Sequence, residues 1–552
     1  MHQAGWCPFT TFQLSNNFPE DTQAYAFALG TIRTSQNHEK CTFQSCTASQ
    51  YIPGIDISHT REGCECEVLE APTVQIVDCL QRGRIPFLRI ANENGRPFID
   101  IHDDDGMADT QYIAISHVWA DGIGTSTSNC IATCQAMELA ESIELISNES
   151  NLPFWLDTLC IPAQPQRQNL RDFSVQKMHE IYSSAHGVLI LDADLKRLPS
   201  NASYAEIMTR FSISAWYARL WTYHESALAP RHYVRGQDIV FELEGLQQRV
   251  LEGEFQDSIA HSLNLFAAAS FRVLFRDPSD TKTSNSDLEM QNLMTTASKR
   301  TMSRPEDETV CIAIHLSLDV GPLLKSPSGR RMETLLSLLP AIPANVLWGS
   351  GPRLVAKGFR WAPASFLQPH GMVPLPVPDL IPASPANLHT EMIPRPLSYL
   401  HPTGKGLMTF LPAISISNLD FSMQRFLVDV GEGEVYRLGF FLREEGRTRG
   451  QGRPRSVSFV KRSFVVLLAL FFHDEYRGFD VKQKGILAEV VGKTKDPAVK
   501  SKRFSFKQVA QLEYREPMWV ERTSRTGDFG GGDEGKAWIS GEHVEPKWWL
   551  ID

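Results

Sequence analysis

Glu225 stands among aromatic residues in the stretch ARLWTYHESALAP, residues 218 to 230. A carboxylate in that setting can do acid–base or nucleophilic chemistry. On a helix advancing about 100° per residue, Trp216, Leu220, Trp221, Tyr223, His224, Ala227 and Leu228 cover one broad arc. Glu225 falls at the margin of that arc, beside Trp221. Partial desolvation by an indole raises a carboxylate's pKa and poises it near neutral pH. On this geometry alone, the alternative is a structural or surface carboxylate.

A second group is rich in thiols. Four residues separate Cys41 from Cys46, twelve more lead to His59, and four more lead to Cys64. Cys66 follows, and His38 precedes the set. Zinc takes four nitrogen or sulfur ligands in a tetrahedron, and short loops bring two thiolates onto one ion. A segment with few large apolar residues gains stability from such a staple. The expected structural zinc ligands are Cys41, Cys46, His59 and Cys64, with Cys66 the first substitute. The alternative is a set of thiols packed as small hydrophobes.

A third group lies after strand-like runs. YIAISHVW (112–119), PFWLDTLCI (153–161) and GVLILD (187–192) are near-continuously apolar or β-branched, as strands covered on both faces are. The ligands of open parallel sheets bind at the carboxyl ends of the strands. The first strand would deliver Ser116, His117, Trp119, Asp121, Gly122 and Gly124 there, and the glycines would let backbone N–H groups approach a phosphate or simply form a turn. The second would deliver Asp157, Thr158 and Cys160, and the third Asp192 and Asp194. Pairing Cys160 with His179 or His186 as a thiol nucleophile has no support in the spacing.

Helical stretches alternate with these strands: Cys130 to Ser147, Asn169 to Ser184 and Tyr204 to Leu228. The alternation predicts βαβ units and a parallel sheet, an α/β fold. Pro305, followed by three acidic residues, marks a further helix start. Nine of the 33 prolines lie between Pro363 and Pro396, where the chain should be extended. The expected organisation is a Cys/His-rich segment (1–105), the α/β domain (106–235), a helical extension (236–362), the Pro-rich connector (363–398) and a β-rich end (399–552). The part after the α/β domain is α+β in class. The stretches 445–456 and 525–535 read as solvated loops.

The net charge of −10 over 552 residues argues against nucleic acid or an anionic membrane as partner. MHQAGWCPFTTFQ lacks the pattern of a signal peptide, so the expectation is a cytoplasmic protein in a reducing compartment, with cysteines read as ligands or free thiols. The longest apolar run, Phe464 to Phe472, is about half of what a membrane helix needs and reads as a buried strand.

YIAISHVWADGIG, PFWLDTLCIP, KMHEIYSSAHGVLILDADL and WYARLWTYHESAL follow one another in this order. Together they resemble the HET domain of fungal heterokaryon-incompatibility proteins, from Tyr112 to about Tyr233. GWCP, the Cys/His cluster, SRPEDETVCIA, GFRWAPASF and WWLID extend the resemblance along the flanks. It implies a role in non-self recognition and programmed cell death. The HET domain is regarded as distantly similar to TIR domains, which implies a TIR-like, flavodoxin-like parallel sheet flanked by helices. In NAD-cleaving TIR enzymes a catalytic Glu follows the third strand, and Glu225 is the matching acid. The family's Trp-Thr-Leu-Gln-Glu is here Trp221, Thr222, Tyr223, His224 and Glu225, with His224 in place of Gln. By this resemblance NAD is the substrate, cleaved as by an NAD+ glycohydrolase. Ser116, His117, Trp119, Asp121, Gly122, Gly124, Asp157, Cys160 and Trp221 would hold it, with the loop from Trp119 to Gly124 on the ribose and pyrophosphate. The resemblance also implies self-association and a recognition partner protein. The alternatives are a non-catalytic assembly module of the same fold and a zinc-stapled scaffold with a degenerate HET domain.

Overall fold

The computed structural model of the chain describes residues 6–30, 38–43, 46–48, 57–102, 111–125, 127–147, 152–246, 290, 293–294, 296–297, 299–340, 342–343, 346–347, 351–367, 397–400, 406–417, 425–431, 434–440, 463–468, 482–494, 509–524 and 537–552. The acidic run after His102, residues 368–396 of the Pro-rich connector and the two loop stretches at 445–456 and 525–535 lie outside the described residues. The chain divides into two compact units, Met1–Ser284 with Lys299–Leu335, and Asn285–Ser298 with Leu336–Asp552.

The first unit opens with α1 (Pro8–Asn17) and α2 (Glu20–Leu29). β1 (Val68–Glu70), α3 (Thr73–Gln81), β2 (Phe87–Glu93) and β3 (Arg96–His102) follow. The α/β core then runs β4 (Ile113–His117), β5 (Cys130–Ala132), α4 (Thr133–Ser147), β6 (Phe154–Trp155), α5 (Asp157–Cys160) and α6 (Gln168–Ser183). It continues with β7 (Gly187–Leu191), α7 (Tyr204–Ile213), α8 (Leu220–Leu228), β8 (His232–Arg235) and β9 (Val240–Glu242). The sheet order is β3-β2-β6-β4-β7-β8-β9. The inner four strands, β6, β4, β7 and β8, are mutually parallel, and the flanking strands are antiparallel. Every residue of β4, β7 and β8 is buried, which is why β4 and β7 are near-continuously apolar without alternation; the buried His232 and Arg235 of β8 pair with Glu244 and Glu141. Numbered by appearance, the parallel strands lie in the order 2-1-3-4, so the order reverses beside β4. Right-handed crossovers in opposite directions put helices on both faces. Accordingly α6 packs with α8, while α4 packs against β2 and β9.

Three predicted elements differ from what forms. Residues 153–161 are not one strand. Only Phe154 and Trp155 pair with β4. Asp157 then starts a helical turn and accepts the Thr158 N–H on its own carboxylate at 2.6 Å, a local bond that competes with strand geometry. The helix expected from Cys130 begins at Thr133, because Cys130–Ala132 pairs with β1 instead. The helix expected from Tyr204 to Leu228 breaks at Ser214. Ser214 is extended, the Asp192 carboxylate accepts the Trp216 N–H at 3.0 Å, and the Ser214 hydroxyl accepts the Tyr217 N–H at 3.0 Å. These bonds take N–H groups that a continuous helix would use internally. The helix expected after Pro305 forms as Glu308–His315, here α9.

The second unit is built on one nine-stranded, mostly antiparallel sheet. The apolar run after Ser463 forms a strand, Ser463–Leu468, and its Val465, Val466 and Leu467 are buried. Three strands, Lys482–Thr494, Val509–Ser524 and Ala537–Ile551, are longer than the short ones expected. GFRWAPASF and WWLID meet here: the Asp552 carboxylate accepts from the Gly358 N–H at 2.7 Å and from Arg360 at 2.6 Å. No helix among the described residues is long and apolar enough to cross a membrane.

Candidate active site

The carboxyl end of β4 carries two polar groups that find different partners. Neighbouring side chains on a strand turn apart. Ser116 donates its hydroxyl to Glu225 Oε2 and accepts the Trp216 Nε1–H at 2.7 Å. His117 Nε2 lies 2.9 Å from Asp157 Oδ1, and Trp119 Nε1–H donates to Asp157 Oδ2 at 2.8 Å. With the proton on Nε2, His117 Nδ1 is a buried acceptor with no hydrogen-bond partner among the described residues. Ser116, His117 and Asp157 therefore do not form a serine relay, because the hydroxyl and the imidazole serve different carboxylates.

The break at Ser214 gives α8 its own direction, and that aims Glu225 at β4. Glu225 is 7% exposed, more buried than the arc margin implied. Burial is the largest influence on its pKa and pushes it from 4.5 up to about 8. The Asp157 charge adds to the rise, while Ser116, Arg219 and Tyr182 oppose it. Burial also acts to raise Asp157, yet His117, Trp119 and the Thr158 N–H outweigh it and hold that carboxyl below the usual range. Two neighbouring carboxyl groups thus have opposite tendencies, one toward the neutral acid and one toward the anion. Such divergence is a mark of acid–base sites.

Arg219, Trp216 and Tyr182, none of them expected from the sequence as site residues, complete this cluster. Arg219 is 8% exposed and its Nη1 has no hydrogen-bond partner among the described residues. Burial pulls its pKa below the ordinary arginine value, against the charges of Glu225, Asp157 and Asp121. An arginine inside the apolar run AWYARLW was the available signal. Tyr182 donates to the Ile115 carbonyl at 3.2 Å.

The turn after β4 is held from within. Gly122 and Gly124 have φ of 68° and 62°, the left-handed region that favours glycine. A Cβ on Gly122 would collide with Ser58, and one on Gly124 would lie 2.8 Å from Thr158 Oγ1. The Gly122 N–H donates to the Trp119 carbonyl at 3.1 Å and the Gly124 N–H to Gln135 Oε1 at 3.2 Å. Neither amide is free for a phosphate, so the glycines serve the turn. Asp121 accepts the Ala193 N–H at 2.9 Å, and Arg304 lies 5.9 Å from the Trp119 ring centre.

Other expected residues lie apart from this cluster or serve the scaffold. Asp192 caps the turn after β7 and holds the α7–α8 link. Cys160 is 1% exposed, and burial raises its thiol pKa. His179 bonds the Ile314 carbonyl at 3.1 Å and His186 contacts Arg231 at 3.2 Å, so neither pairs with that thiol. Trp221 is half-buried, with its ring centre 6.1 Å from that of His224. His224 is fully buried and both its ring nitrogens lack partners among the described residues. Burial depresses its pKa, so it is a neutral core residue.

The expected zinc ligands fall into two groups rather than one. Cys41 and Cys46 cluster with Cys7 and His38, whereas His59 and Cys64 cluster with Cys66 and Cys134. Cys7 and Cys134 escape a reading of spacing because the chain brings them in from the residue capping α1 and from the first turn of α4.

The family model described as Heterokaryon incompatibility protein (HET) matches residues 112–203. No curated protein and no solved structure is detectably similar to the chain. The match covers β4 through the start of α7's N-terminal cap and stops short of Glu225. With those motifs lying on the parallel strands and their crossovers, the chain carries a heterokaryon incompatibility (HET) domain over residues 112–203.

Proposed function

We propose that the protein acts in fungal non-self recognition and programmed cell death, and that its HET domain cleaves NAD+ to nicotinamide and ADP-ribose with Glu225 as the catalytic carboxylate. The strand order 2-1-3-4 supports a flavodoxin-like, TIR-like reading. The observation that carries the chemistry is the Ser116–Glu225 contact at the carboxyl end of β4, beside the point where strand order reverses. Ligands of such sheets bind there.

In this reaction the bond from C1′ to nicotinamide breaks and its electron pair goes to the ring nitrogen. Water then adds to C1′ and releases a proton. A carboxylate beside C1′ stabilises the oxocarbenium-like transition state. Glu225, with a pKa of about 8, is mostly neutral at pH 7, and a cationic substrate close to it favours the ionised form. Ser116 then holds Oε2 in place, and Asp157 stays anionic nearby. Since the turn amides are engaged, the exposed Arg304 beside Trp119 is the group for the pyrophosphate. A substrate reaches the 7%-exposed Glu225 by a rearrangement of the residues that cover it, and self-association is the proposed trigger. The test is nicotinamide release by wild type and Glu225→Gln. Equal release would remove Glu225 from the reaction.

The burial of Glu225 favours a second reading, in which the same fold is a non-catalytic assembly module and Glu225 a structural link. It predicts that surface substitutions abolish toxicity while Glu225→Gln retains it.

A further inference from the structure

The two thiol clusters have a geometry that packing of neutral thiols does not require. In the first, His38 Nδ1 lies 3.4 Å from Cys41 Sγ and 3.7 Å from Cys46 Sγ, and the two sulfurs are 3.8 Å apart. In the second, His59 Nδ1 lies 3.3 Å from Cys66 Sγ and 3.5 Å from Cys134 Sγ. In each cluster all four donor atoms lie within 4.8 Å of one another. A tetrahedral zinc with Zn–S of about 2.3 Å and Zn–N of about 2.0–2.1 Å has S–S edges of about 3.8 Å and S–N edges of about 3.6 Å. The five separations match those edges. All these cysteines are free of disulfides. Donors this close surround a single ion and leave no room for an iron–sulfur cluster, and three sulfurs with one imidazole suit zinc.

Backbone donors fix two sulfurs of the second cluster. The Thr60 N–H donates to Cys134 Sγ at 3.3 Å, and the Cys134 N–H donates to Cys66 Sγ at 3.4 Å. Such outer bonds orient metal ligands.

Each cluster also backs one loop of the α/β core, the α7–α8 link or the Trp119–Gly124 turn. Cys7, Cys41 and Cys46 are buried with Phe9, and Ala218 of the α7–α8 link packs against them. That link carries Trp216, which bonds Ser116. In the second cluster Cys134 lies in the first turn of α4. His59 follows Ser58, whose N–H donates to the Gly122 carbonyl at 3.1 Å. The second cluster therefore fastens residues 57–66 to α4 and onto the Trp119–Gly124 turn.

We infer that the chain binds two structural zinc ions, one through Cys7, His38, Cys41 and Cys46 and one through His59, Cys64, Cys66 and Cys134. The first braces the α7–α8 link and the second braces the Trp119–Gly124 turn. The inference stands apart from NAD cleavage, because its readouts are metal content and local protection.

Elemental analysis of the full chain should find two zinc ions per molecule. Cys46→Ser and Cys66→Ser should each retain one. Hydrogen exchange should quicken at 214–218 in Cys46→Ser only, and at 119–124 in Cys66→Ser only. Should a variant fail to fold, the wild type decides. Stepwise reaction of its thiols with an organomercurial should release two zinc ions, and cobalt(II) in their place should give the intense visible absorption of a tetrahedral thiolate site. Folded wild-type protein that holds no zinc, takes up no tetrahedral cobalt and loses no metal as its thiols react would overturn the inference. So would one ion rather than two in the wild type, or either folded variant keeping both.

Discussion

Ser116 and Glu225 are joined side chain to side chain across 109 residues of sequence. The bond links the central strand of the parallel sheet to the helix after the third parallel strand. It exists because Asp192 and Ser214 break the chain between α7 and α8, which turns α8 and brings its acid over β4.

Burial of Glu225 makes stability fall as pH rises. Its folded pKa of about 8 lies above the ordinary 4.5, so the folded state keeps a proton that the unfolded state loses between those values. Stability from the neutral acid is fully present below about pH 4.5 and declines up to about pH 8, by on the order of 3 kcal/mol between pH 5 and 8. Glu225→Gln removes this slope. Urea unfolding at pH 5 and pH 8 should show the variant gaining on the wild type by about that amount at pH 8. Parallel pH profiles would contradict a buried, neutral Glu225.

Asp157 has the opposite sign. Its folded pKa is depressed, so its contribution is present above the unfolded value of about 3.9 and is lost as pH falls through the folded one. Asp157→Asn leaves His117 facing an amide and should cost about 3 kcal/mol at pH 7. Denaturation in acid should show that difference shrinking. A constant difference from pH 7 to pH 3 would show that the charge is not what matters.

Asn129 is a buried joint with φ of 52°. Its side-chain N–H groups donate to the Thr158 and Ile161 carbonyls at 2.9 and 2.7 Å, and its Oδ1 accepts the Ala163 N–H at 2.8 Å. Asn129→Ala strands buried polar groups and places alanine in a left-handed conformation, at a cost of about 3 kcal/mol. Thermal unfolding measures it. A negligible loss would mean that residues 158–163 hold their path without this side chain.

Much of this was legible in the sequence because two-sided burial leaves a plain signature. β4 and β7 are near-continuous apolar runs, and Ser116, near the carboxyl end of β4, is the residue that meets Glu225. What was hidden depended on bonds between distant residues. An apolar run such as LDTLC reads alike as a strand or a buried turn, and only the Asp157 carboxylate on the Thr158 N–H decides. The break at Ser214 needs Asp192, which lies on another element. The thiols showed that metal binding was in question, but spacing alone could not divide them, because Cys7 and Cys134 arrive from outside the spaced set, at the start of α1 and in α4.

The most direct test of the central claim is nicotinamide release from NAD+ by the concentrated full-length protein, followed by chromatography from pH 6 to pH 9. The account predicts release that rises with pH as Glu225 ionises, with its midpoint at or below about 8, and that falls at least a hundredfold in Glu225→Gln. Release that is flat with pH and unchanged by the substitution, or none from the wild type at any pH, would contradict it.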